Sequence, residues 1–204
     1  IQMVLADYAG ARASCQRLQA LVPPLLRAAC QAQVDAITGQ AQAATTALRS
    51  ALQHSDASPA QRLWSLTRLA ETEERLGRWP EAEAAFRQAL ALGQPDIYLQ
   101  AALADFLLDR GRPAEVLSLL QGQGRADVLL LRLALAAHAA QDKSAAGHAN
   151  ELAARFDAAR QRGDTSHNKE EARFVLALRG DVAGALKLAR QNWAEQREPA
   201  DARV

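Results

Sequence analysis

The chain has 204 residues, 49% of them hydrophobic and 23% charged, with a formal net charge of +1; that is one globular domain or a short repeat array, long enough to bury a core. Its 21 Arg and 3 Lys are balanced by 23 carboxylates with no block of like charge, which removes the broad electrostatic attraction that nucleic-acid binding depends on. No run approaches the roughly 18 apolar residues of a membrane span, so no membrane insertion is expected of these residues; the sequence starts at Ile1 rather than Met, so the lack of a basic-then-apolar leader carries no information.

Ala occurs 47 times and Leu 30, against 17 for Val, Ile and Thr together. Residues that lose least entropy in a helix therefore dominate, and an all-α chain is expected. In chain order, Asp7, Tyr8, Ala11, Cys15, Leu18 and Pro23 read as a turn and second helix whose first helix is mostly missing (1–24). A first helix from about Leu25, a turn at Gly39 and a second helix with Ala44, Leu48 and Ala51 fill 25–58. The polar stretch from Ser55 to Gln61 ends this unit, and Ser58-Pro59 suits the start of the next helix. In 59–96, Leu69 and Ala70 mark the first helix, Gly77 and Trp79 the turn, and Ala82, Phe86 and Ala89 the second helix. Leu103, Ala104, Gly111, Val116 and Leu120 repeat those landmarks in 97–125. The pattern loosens in 126–164, where Asp127 to Ala140 is very apolar and Ala145 to Arg162 longer. Val128 to Leu131 puts apolar groups on every side, which fits a core helix or an interface. In 165–198, Glu171, Ala172, Val175, Leu176 and Leu178 form a first helix, and Ala185 and Ala189 follow the turn at Gly180-Asp181. The tail 199–204, with Pro199 near its start, reads as the beginning of a further helix, so both ends are expected to continue.

These helix-glycine-helix units resemble the 34-residue tetratricopeptide pattern, most closely from Leu63 to Leu120. The chain departs from that pattern at Glu73, where the family usually carries an aromatic, and at Pro95, one place late. A non-repetitive helical bundle is the alternative. The resemblance implies an all-α solenoid, 1–204, of about four to five stacked helix-turn-helix repeats in a right-handed superhelix, its concave wall lined by first helices. On that register the wall holds Trp64, Thr67, Glu71, Glu74, Arg75, Tyr98, Ala101, Asp105, Leu108 and Asp109, then Leu131, Leu135 and His138. Two aromatics and four carboxylates would suit a basic or mixed peptide; equally, the carboxylates are a solvated face and Trp64 caps the core. Thr67 and Glu71 stand where relatives that clamp a terminal carboxylate carry basic and amide residues, which argues against such a clamp.

The expected function is a non-catalytic interaction scaffold for a protein or peptide. A structural or oligomerisation module of an envelope assembly, with a possible homo-oligomer, is one alternative; a regulatory region of a larger protein is another. The chain also resembles uncharacterised bacterial envelope proteins of the superfamily. On the repeat register Cys15 and Cys30 lie on adjacent packed helices, so either a disulfide or two buried thiols is open. The disulfide would place the protein in the periplasm or otherwise outside the cytosol, the thiols inside it. His54, His138, His148 and His167 show no ligand spacing, Glu73-Glu74 and Glu170-Glu171 no catalytic geometry, and Gly122 to Arg125 no phosphate-loop context. No cofactor, metal or catalytic residue is expected.

Overall fold

The computed structural model describes residues 1–18, 21–164 and 166–203. These are all-helical, with eleven α-helices and no strand among the described residues. They fall into two compact units, Ile1–Leu99 and Gln100–Val204.

The first unit holds α1 (Tyr8–Arg17), α2 (Pro24–Ile37), α3 (Ala41–Gln53), α4 (Pro59–Arg75) and α5 (Trp79–Leu90), and α6 (Ile97–Leu108) begins in it. Local chemistry explains the starts. The Asp7 carboxylate accepts from the Gly10 amide at 2.8 Å, and Ser58 and Gln61 form a reciprocal capping box before α4. Proline stands in the first turn of α2, α4 and α5, where its missing N–H costs nothing. The stops are equally local. Gly77 takes φ +71, which lets the Arg78 amide bond back to the Glu73 carbonyl at 3.0 Å and closes the end of α4. Gly39 and Gly111 do the same for α2 and α6, so the expected turns fall where the helices part.

Helices pack in neighbouring pairs: α2 on α3, α4 on α5, and α2 also on α4. Ala70, Ala82 and Ala89 are fully buried beside Phe86, and these small side chains allow close helix approach. A smaller cluster of Ala11, Cys15 and Val34 joins α1 to α2.

The second unit holds the remainder of α6 with α7 (Pro113–Leu119), α8 (Asp127–Ala139), α9 (Ala145–Gln161), α10 (Asn168–Phe174) and α11 (Val182–Glu195). Here α8 packs on α7, α9 and α10, and α10 on α11. Leu129, Leu130, Leu131 and Leu133 are all buried, so the apolar stretch of α8 belongs to the core. Its far end turns at Gln141, which adopts φ +53 without being glycine.

Two features depart from the expected pattern. A π turn, Val175–Arg179, extends α10, and Leu176, expected on a packed first helix, is exposed. Val175 and Leu178 of the same turn still pack on the Leu131, Phe156 and Phe174 cluster. The tail forms a single 3₁₀ turn, Asp201–Arg203, whose Asp201 carboxylate is buried, accepts from the Glu198 amide at 2.8 Å and pairs with Lys169 at 3.2 Å.

Candidate functional site

The residues expected on a common wall divide between the two units. In the first, α4 presents Trp64, Glu71 and Glu74 half-buried and Arg75 exposed. Thr67 does not reach a surface: it is 2% exposed and its hydroxyl donates to the Leu63 carbonyl at 2.8 Å. One helical turn therefore satisfies it internally, and Thr67 leaves the set of accessible wall residues.

Tyr98, in the first turn of α6, is 52% exposed. The Arg68 guanidinium lies over its ring, 4.5 Å from the centroid, and pairs with Glu71 at 2.9 Å. The Tyr98 hydroxyl donates to the other Glu71 oxygen. Desolvation of the hydroxyl, then the Glu71 charge beside it, raises the phenol above its ordinary range, so it stays a donor. Arg68, Glu71 and Tyr98 thus form a closed stack that fixes an aromatic face toward solvent.

In the second unit, Asp105 receives two guanidinium forks. Arg132 donates from Nε at 3.1 Å and Nη2 at 2.6 Å; Arg173 donates from Nη1 at 3.1 Å and Nη2 at 2.9 Å. Burial alone would raise the Asp105 carboxyl, but these two cations outweigh it and hold the carboxyl below its ordinary value. Asp109 is paired to Arg203. Of the remaining expected wall residues, Ala101 and Leu131 are buried in the core, Leu108 and Leu135 are half-buried, and His138 is exposed in the last turn of α8.

This corrects the expectation of an open acidic wall. Glu71, Asp105 and Asp109 are already matched by Arg68, Arg132 with Arg173, and Arg203. Sequence reading missed these arginines as site residues. Arg132 carried a signal, a lone charge inside the apolar run of α8, which demands a buried partner. Arg173 and Arg203 carried none.

The departure at Glu73 has a physical account. Its side chain is fully buried and accepts from Arg49 at 3.1 Å (Nε) and 2.8 Å (Nη2), and from Arg78 at 3.3 Å. A carboxylate there joins α3, α4 and the turn before α5. Cys15 and Cys30 form a disulfide between α1 and α2.

Elsewhere in the second unit, a recess of about 620 Å³ is bordered by α7, the turn at Gly122 and Gly124, and the start of α9. Arg155 spans its edge, donating to the Gly124 and Arg125 carbonyls at 3.0 Å each and to Asp127 at 2.7 Å. Among the described residues no three His, Cys, Asp or Glu side chains converge as metal ligands, and no helix is long and apolar enough to cross a membrane. The chain matches no family model, no curated protein and no solved structure.

Proposed function

We propose that the chain is a non-catalytic protein-interaction scaffold built from tetratricopeptide-like helix pairs. One observation carries the reading. In each unit a helix packs both on its hairpin partner and on the leading helix of the next pair, α2 on α3 and α4, α8 on α9 and α10. Nearest-neighbour packing of this kind supports an array whose faces are rigid and laterally open, the property that peptide-holding repeat proteins use. The Cys15–Cys30 bridge supports an oxidising compartment.

Within the first unit the working surface is the exposed ring of Tyr98 with the edge of Trp64. Glu71 and Arg68 hold Tyr98 in place, so a partner meets an aromatic already ordered and the entropy of docking falls mainly on the partner. Because Glu71 is matched internally, the partner is chosen by apolar and aromatic contacts rather than by positive charge.

Panning a displayed library of random 12-residue peptides on the full chain tests this. Selected peptides are expected to be rich in aromatic and aliphatic residues and to lose at least tenfold in affinity against Tyr98→Ala, with helical circular dichroism unchanged. Equal affinity for Tyr98→Ala, or no selected peptide at all, overturns the reading.

A further inference from the structure

The last helix of the second unit has two apolar faces, and only one is covered. Ala185 and Asn192 are 3% and 5% exposed and face the packed side of α11. Val182, Leu186 and Trp193 are 65%, 49% and 44% exposed. At about 100° per residue these three fall within roughly 40° of one another, and at 1.5 Å per residue the stripe runs about 16 Å along the axis. Bulky apolar groups scattered singly need no explanation; a contiguous stripe three turns long does.

Charge indicates what the stripe accepts. Arg190 borders it, and Lys187 lies further round the same side; neither has an ion-pair partner among the described residues. The two carboxylates of this segment are turned elsewhere or committed. Glu195 sits roughly opposite the stripe by helical angle, and Asp181 accepts from the Gly184 amide at 2.9 Å as the helix cap. The other border of the stripe is the packed side of α11. The exposed face is therefore an apolar strip with a cationic edge and no anionic one.

We infer that this face of α11 is a docking site for an amphipathic helix of about three turns, carried by a protein partner, whose apolar stripe is flanked by Asp or Glu. Helix-on-helix packing buries Val182, Leu186 and Trp193 against the partner's stripe. The partner's carboxylates meet Arg190 at the rim, which makes association sensitive to salt. The inference concerns a different surface from the Tyr98 ring and stands without it.

The test uses the full chain and a displayed library of 16-residue helical peptides, with Leu at the stripe positions and the rim positions randomised. Selected peptides are expected to carry Asp or Glu at the rim, to weaken at least tenfold against Leu186→Asp, and to weaken further with salt. The variant Arg190→Glu, at an exposed position, is expected to select Lys- or Arg-rimmed peptides instead, with helical circular dichroism unchanged. Absence of acidic bias, or equal binding to Leu186→Asp, overturns the inference. So does tighter binding to phosphatidylglycerol vesicles than to any selected peptide, which assigns the face to a lipid surface. A concentration-dependent dimer abolished by Leu186→Asp also overturns it and assigns the face to a second copy.

Discussion

Glu73 in the first unit and Asp105 in the second are each gripped by two arginines, and the two triads distribute their burial in opposite ways. In the first unit the acid is the hidden member: the Glu73 side chain has no exposure, whereas Arg49 and Arg78 keep 48% and 37%. In the second unit the hidden member is a base: the Arg132 side chain is 7% exposed, against 17% for Asp105 and 24% for Arg173. An ion pair that includes a buried group costs most when that group is left without its partner, because the desolvation is then uncompensated. The two triads are therefore fragile at opposite charges.

The largest expected effects come from orphaning the hidden member. The double variant Arg49→Met/Arg78→Met leaves Glu73 buried alone and should cost about 3–5 kcal/mol of unfolding free energy. Glu73→Gln should cost less, about 1–2 kcal/mol, because both guanidiniums can turn to water. In the second unit the order reverses. Asp105→Asn strands Arg132 and should cost about 3–5 kcal/mol, and Arg173→Ala should cost less because Arg132 keeps its fork on Asp105. Urea unfolding of the four variants measures this; equal costs for acid and base removal within either triad would break the comparison.

Reduction of Cys15–Cys30 sharpens the contrast between units, since the bridge closes a loop of sequence separation 15 within the first unit alone. A loop of that length is expected to contribute about 3 kcal/mol. Amide exchange should quicken in α1 and α2 on reduction and stay unchanged in α8 and α10. Uniform acceleration across both units would contradict it.

The second triad is also expected to respond to acid. The folded-state carboxyl of Asp105 lies below its ordinary value of 3.8, so its contribution is fully present above that value and is lost as pH falls through the depressed one. Asp105→Asn should therefore remove part of the stability difference between pH 7 and pH 2.5, measured by urea midpoints. An unchanged difference would show that the pair does not titrate on unfolding.

The smallest effect concerns turn chemistry. Gly77 and Gln141 both hold positive φ, +71 and +53, but only one is glycine. Gln141→Gly should stabilise by about 1 kcal/mol. Gly77→Ala should destabilise by a similar amount through backbone strain alone, since the nearest atom to an added Cβ would be a Trp79 carbon at 3.7 Å. Thermal midpoints moving the same way for both would refute the assignment.

Much of the local architecture was legible in the residues. The turns at Gly39, Gly77 and Gly111, the start at Ser58-Pro59 and the buried Ala82, Phe86 and Ala89 all follow from signals within one or two helical turns. The candidate wall was legible only in part. Tyr98 emerges exposed, but Thr67 is internal; Glu71 is neutralised by Arg68 at the legible i,i+3 spacing, whereas Asp105 and Asp109 are neutralised by arginines that no spacing rule connects to them. The exposed stripe of α11 was hidden for a related reason: Val182, Leu186 and Trp193 look like an ordinary core face until the packed side is known to be the one carrying Ala185 and Asn192.

The sequence by itself determined the helical class, the helix ends and the small residues at close approaches, because propensity, capping and left-handed turns act over a few residues and leave a local imprint. Only the tertiary structure decided which charges meet and which face stays open. Arg173 reaches Asp105 across 68 positions and Arg49 reaches Glu73 across 24. A guanidinium finds its carboxylate through the packing of whole helices, and that packing has no period of its own in the chain.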